Sequence, residues 1–147
     1  GEQAIEAGRR VTASGMKLSM MIILGLAGAE GSERHALATA KAINIIKPTH
    51  LSALCLMLYR GSELLEQYEA GKFNPLSPAG LMRELKLIIE NIDLPADRHC
   101  LFRSNHVSNY VQLAATLPHD KQRLLRDIDY SIAQLSKLKS WDVYNYN

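Results

Sequence analysis

The chain is poor in most of the residue types that announce a specialised class. Of its 147 residues only two are cysteine, one is tryptophan and two are phenylalanine. Cys55 and Cys100, with forty-four residues between them, lie within or beside apolar runs, so a disulfide scaffold and a four-thiolate zinc site are both excluded, and the pair reads as two small buried hydrophobes. Charge of one sign is also lacking: 17 Lys and Arg against 15 Asp and Glu leave a net +2, with the cations scattered. No electrostatic footprint for nucleic acid or an anionic membrane follows from that. The longest near-continuous apolar run, Leu18 to Ala29, contains Ser19 and two glycines and falls short of the ~20 residues a spanning helix needs. The opening segment "GEQAIEAGRR" has neither a basic n-region nor an apolar h-region, so no secretory signal is read there and a cytoplasmic location is expected. Neither GxGxxG nor GxxxxGK[ST] occurs, which removes the dinucleotide fingerprint and the P-loop.

What is present is a 47% hydrophobic chain, enough for one sizeable core, with helix and strand patterns in alternation. Residues 2 to 14 carry Ala4, Ile5, Ala7 and Val11 as a weak helix that Gly15 ends. Residues 17 to 25 are apolar on both faces, as a strand of a parallel sheet reads. Ser32 is placed to cap a helix over 32–46, whose continuation Pro48 forbids. "THLSALCLMLY", 49–59, is a second apolar strand, so strand, helix and strand form one right-handed βαβ unit with the two strands parallel. Beyond it helices predominate: a short one from Ser62 to Gly71, then one opened by Ser77 and Pro78 with Leu81, Met82, Leu85, Ile88, Ile89 and Ile92 on a wide stripe. A short strand over 99–103 precedes a polar run, and a helix over about 119–138 carries Leu125, Ile128, Ile132 and Leu135 on one face. The organisation expected is therefore residues 1–61 as βα units, 62–139 as a largely helical extension with that short strand, and 140–147 as a fraying tail. Two or three central-type strands leave long apolar edges, so partner strands from a larger α/β protein, or from a second copy, are expected to cover them.

Two places attract chemistry. Gly25, Gly28 and Gly31 follow the first strand and precede a helix, where backbone closely approaches a ligand or simply turns tightly; the GxxGxxG spacing favours the plain turn. Glu33 and His35 in the first turn of that helix could be catalytic, but a Glu near a helix N-terminus is commonly just favourable dipole chemistry, and the non-catalytic reading is preferred. The densest polar run is Arg103, Ser104, Asn105, His106, Ser108 and Asn109. His106 suits a proton donor or substrate ligand and Arg103 an anion clamp, while the favoured reading makes Ser108 and Asn109 cap and turn residues that stitch the tail onto the rest of the fold.

Three segments together resemble the C-terminal half of radical S-adenosylmethionine enzymes, in the group of oxygen-independent coproporphyrinogen oxidase-like Fe–S oxidoreductases. "SMMIILGLAG" is similar to that superfamily's fifth barrel strand. "LYRGSELLEQYEAGKFNPLSP" resembles its PGTPLYEDYEAGKFxxLSP-type continuation, and "FRSNHVSNYVQLAATLPHDKQRLL" its FxSxHxSNYxxLxGxLPxDKxxLL segment. The likeness spans nearly the whole chain.

The resemblance implies an α/β fold, the C-terminal βα units of a partial TIM-like barrel of six βα units with additional C-terminal helices. It implies an intact parent that cleaves S-adenosylmethionine reductively at a [4Fe–4S] cluster to start radical chemistry on an unknown substrate. The CxxxCxxC loop that ligates that cluster is absent here, so the cofactors belong to the intact parent, this chain alone is expected to be inactive, and the missing N-terminal half of the barrel is the expected partner. Of the superfamily's GxIxGxxE pattern, Ile23 and Gly25 match; Met21 stands for the first Gly and Gly28 for the Glu. Adenine contact by Ile23, Gly25 and the neighbouring Leu26 is the implied remnant of a cofactor site. Arg60, just beyond the sixth-strand segment, is implied at the barrel mouth, for substrate contact or loop anchoring, beside Arg103, Asn105, His106, Ser108 and Asn109. The competing class is a non-enzymatic α/β module that binds a ligand at the glycine loop or acts through self-association.

Overall fold

The computed structural model describes residues 1–137; Leu138 and the segment 140–147, expected as helix end and tail, lie outside them. The described elements are α1 (Glu2–Ala13), β1 (Ser19–Leu24), α2 (Gly28–Ile46), β2 (His50–Cys55), α3 (Glu63–Glu69), α4 (Pro78–Asn91), β3 (Cys100–Ser104), β4 (Leu113–Leu117) and α5 (Lys121–Leu135). The four strands form one open mixed sheet in the order β1-β2-β3-β4. β1 and β2 are parallel, with Met21 opposite Ser52 and Ile23 opposite Leu54, as the length of the intervening helix predicts. β3 joins β2 in parallel, and β4 returns antiparallel to β3, Ser104 pairing with Leu113.

One face of the sheet is covered and the other is open. Ile22 and Leu24, then Leu51, Ala53 and Cys55, then Cys100, Phe102 and Ser104, and finally Leu113, Ala115 and Leu117 all turn to the covered face and are buried. α4 crosses that face between α2 and α5 and fills it with Leu81, Met82, Leu85, Ile88 and Ile89. Burial of each such side chain stabilises the fold by roughly 1.5–3 kcal/mol. On the open face Met21 is 73% exposed and Ile23 40%. The apolar pattern of β1, which predicts cover on both faces, is therefore met on one side only among the described residues.

Helix ends differ from expectation at α2. Its first residue is Gly28, four positions before Ser32, and no side chain caps it; the Ser32 hydroxyl is engaged with Glu84 instead. Lys47 in the left-handed conformation ends the helix ahead of Pro48. Ser62 and Ser77 do cap α3 and α4, accepting from Leu65 and Gly80 backbone N–H groups, with Pro78 in the first turn. α5 buries Leu124 and Ile128, with Leu125, Ile132 and Leu135 at its margin. β4 was not anticipated by the polar reading of the segment after residue 103, and it puts the chain on both sides of β3.

The two edges of the sheet are treated differently. At β4, the Asp120 carboxylate accepts the Thr116 N–H at 2.8 Å, the Arg123 guanidinium donates to the Ala114 carbonyl at 3.0 Å and the Asp120 N–H donates to the Thr116 carbonyl at 2.8 Å, so most of the outward backbone groups there are occupied. The Thr116 amide in turn holds the Asp120 carboxyl below its ordinary range. Beyond β1 no strand pairs among the described residues. There an open apolar groove of about 660 Å³ lies between α1, the β1 edge and α2, lined by Ile5, Val11, Leu18, Met20, Ala42 and Ile46.

Candidate functional site

The polar run after β3 does two jobs. β3 stops pairing with β2 at Arg103 opposite Ser52, which leaves the outer backbone groups of Ala53 and Cys55 without a strand. The Asn109 carboxamide takes that place: Oδ1 accepts the Cys55 N–H at 2.9 Å and Nδ2 donates to the Ala53 carbonyl at 2.8 Å. A primary amide carries the same acceptor and donor as a peptide unit, so Asn109 extends the ladder by one residue's worth of hydrogen bonds. Nδ2 also donates to the Ser104 hydroxyl at 2.8 Å, and Ser108 Oγ accepts a second contact from Cys55 N at 3.2 Å. Ser108 and Asn109 thus fasten the segment after β3 to β2 and to Ser104.

His106 is oriented by the same segment. Its Nδ1 accepts the Ser108 N–H at 3.2 Å and lies 2.9 Å from Ser108 Oγ. With Nδ1 a hydrogen-bond acceptor, the neutral ring carries its proton on Nε2. Arg103 and Asn105 are exposed beside it, and Arg103 spends one N–H on the Phe102 carbonyl at 2.7 Å. These three side chains rim a recess of about 240 Å³ whose floor includes Met21, Ser52 and Leu54 of the open sheet face. A second recess of about 160 Å³, lined by Ile23, Leu56, Met57, Tyr59, His106 and Ser108, shares Leu54 and His106 with the first.

The structure thus brings Ile23, Arg103, Asn105, His106 and Ser108 to one stretch of the open face, with Asn109 behind them in the ladder. Leu26 and Arg60 are exposed and line neither recess. Gly25 has a packing reason for its identity: its φ is +82°, and a Cβ there would meet Leu81 Cδ2 of α4 at 2.7 Å. Gly28, at φ +66°, faces the Asn74 carbonyl and the Phe73 ring, and the Ala29 N–H donates to that same carbonyl at 2.8 Å. The glycine turn is therefore occupied by the loop before α4. Glu33 is exposed on α2.

One functional group escaped the sequence reading. Glu84 sits in the apolar stripe of α4 with its side chain fully buried, and its carboxylate accepts the Gly25 N–H at 2.8 Å, the Ser32 hydroxyl, and His35 Nδ1–H at 3.1 Å. Burial pushes this carboxyl up, but the hydrogen bonds from His35, Ser32 and Gly25 outweigh it and the net shift is downward. The clasp ties the end of β1 and the start of α2 to α4. A lone charged residue within a buried stripe was the available signal; its partners, 49 to 59 positions away, were not.

An iron–sulfur cluster of the kind the resemblance implies requires three clustered thiolates. Cys55 ends β2, whereas Cys100 precedes Leu101, which pairs with His50 at the β2 start. That six-residue offset places the two cysteines roughly 20 Å apart along parallel strands. Both thiols are buried, and burial pushes each up to about 11. No group of three His, Cys, Asp or Glu suited to a metal occurs among the described residues. The residues present do not fit a cluster. For S-adenosylmethionine, Ile23 offers an accessible apolar contact, but the space a Gly25 side chain would fill is turned toward α4.

No family model matches the chain, and no curated protein matches it. None of the described helices is long and apolar enough to cross a membrane.

Proposed function

We propose that this chain is the C-terminal part of a radical S-adenosylmethionine Fe–S oxidoreductase, forming one wall of its partial barrel and part of the substrate-facing surface. The observation that carries the reading is the run of three parallel strands with helices on one face and an accessible face bearing Ile23, Arg103, Asn105 and His106 together. In a barrel of βα units the helices are external, the opposite sheet face turns inward, and substrate is met at the C-terminal ends of the strands, where Ile23 on β1 and Arg103, Asn105 and His106 at and beyond the end of β3 lie. The unpaired β1 edge and its apolar groove are where the preceding barrel strand and helix would dock; in the chain alone they favour self-association.

In this reading the cluster and the methionine end of the cofactor would be held elsewhere in the parent, and radical chemistry would start there rather than on residues of this chain. This chain's residues bind and orient: Ile23 provides apolar contact, His106 presents an N–H from Nε2, and Ser108 and Asn109 hold that geometry on β2. The Glu84 clasp fixes the turn that follows Ile23.

Iron and sulfide analysis of the full-length protein purified without oxygen tests the proposal. Stoichiometric iron and acid-labile sulfide are expected; their absence after reconstitution would refute it and leave a non-enzymatic module.

A further inference from the structure

The recess on the open sheet face has an uneven chemistry. Its floor is apolar at Met21 and Leu54, with the Ser52 hydroxyl between them, and Arg103, Asn105 and His106 stand at its rim. Every polar group at that rim has a donor to give. Arg103 uses one N–H within the protein and forms no ion pair among the described residues, so its charge is uncompensated. Neutral His106 carries a proton on Nε2 because Nδ1 is an acceptor, and the Asn105 side chain is exposed. No carboxylate lines this recess or the adjoining one. The adjoining recess continues the surface with Ile23, Leu56, Met57 and Tyr59.

We infer that the two recesses together form a binding site for a small amphipathic organic anion, whose carboxylate or phosphate is held by Arg103, Asn105 and His106 Nε2–H while its apolar body lies along Leu54 and Ile23. The arrangement matches charge to charge and apolar surface to apolar surface. A guanidinium fork supplies paired N–H donors to a planar carboxylate, and the same donors serve a phosphate. A cationic ligand would meet Arg103 with no acidic counterpart. A neutral apolar ligand would leave the Arg103 and His106 donors without acceptors, which costs affinity. The assignment of this anion as the substrate rests on the function proposed above; the binding itself does not require iron or S-adenosylmethionine.

The test uses the 147-residue chain labelled with ¹⁵N and titrated with sodium hexanoate, with hexyl phosphate and with neutral hexanamide. Saturable shifts centred on the backbone amides of Leu54, Arg103, Asn105 and His106 are expected for at least one anion. Hexanamide should bind at least about tenfold more weakly, the loss of one charge-assisted contact. The tighter of the two anions identifies the headgroup. Arg103→Gln should lower anion affinity about tenfold, more than it lowers hexanamide affinity, while leaving the spectrum outside the site unchanged, and His106→Gln gives an independent reading at the same site. Equal affinity for hexanoate, hexyl phosphate and hexanamide, shifts located elsewhere, absence of saturation, or insensitivity to both substitutions would overturn the site. A full-length protein without iron would remove the substrate assignment and leave the anion site standing. An intact cluster in a protein lacking anion selectivity would remove the anion site and leave the proposed function standing.

Discussion

Removing the Glu84 carboxylate should be among the most damaging single changes in the chain. In Glu84→Ala the Gly25 N–H, buried beneath α4, loses its acceptor, while Ser32 and His35 at the partly exposed rim regain water. One stranded buried donor and two lost charge-assisted bonds give about 3–5 kcal/mol, the range for breaking a buried charged network. Glu84→Gln keeps the volume and one acceptor oxygen but turns an N–H₂ toward the remaining donors, for a loss of about 2 kcal/mol. Because the folded-state carboxyl is shifted downward, its contribution is complete above the ordinary carboxylate range. It is lost as pH falls through the depressed folded value. Urea unfolding followed by circular dichroism at pH 7, repeated stepwise to pH 3, reads both effects. The wild-type protein should lose stability on the acid limb more steeply than Glu84→Gln. A Glu84→Ala protein within about 0.5 kcal/mol of wild type, or parallel pH profiles for wild type and Glu84→Gln, would refute the reasoning.

Other expectations follow from the same geometry. Asn109→Ala should cost about 2–3 kcal/mol in the same unfolding assay, because it strands the Ala53 carbonyl; Asn109→Asp should do no better, since it cannot donate to Ala53 or Ser104. Gly25→Ala should cost about 2–3 kcal/mol from positive φ and the Leu81 clash. With thiols buried and pushed up to about 11, Cys55 and Cys100 should react with a disulfide reagent at pH 8 only slowly in the native chain, and both should react at once in guanidinium. The 147-residue chain should associate with increasing concentration in sedimentation, and Val11→Lys in the groove beside the β1 edge should weaken that association; a concentration-independent monomer would argue against an exposed docking surface.

Legibility varied with how local the cause was. β1 and β2 were readable as apolar runs separated by one helix length, and α4 as a stripe with Ser77 and Pro78 at its start, because those signals are contained within a dozen residues. β4 was not, since the alternation of Leu113, Ala115 and Leu117 is blurred by Ala114, an apolar residue on the opposite face. Ser32 looked like a cap, but its hydroxyl serves a carboxylate fifty-two positions away and the helix begins earlier. The polar run at 103–109 was visible as a density of hydrogen-bonding side chains. Its division of labour was not, because Asn109 answers a vacancy in β2 created by where β3 stops, and His106 meets Ile23 only through the sheet.

As proposed, this chain is a barrel wall whose chemistry would depend on a cluster held by the rest of the parent protein. The most direct measurement is 5′-deoxyadenosine formation from S-adenosylmethionine under strict anaerobiosis with a chemical reductant, comparing the full-length protein with the 147-residue chain, each treated with iron and sulfide. Cluster-dependent product from the full-length protein and none from the chain is the predicted result. Product from the chain alone, or none from a full-length protein carrying reduced iron and sulfide, would contradict it.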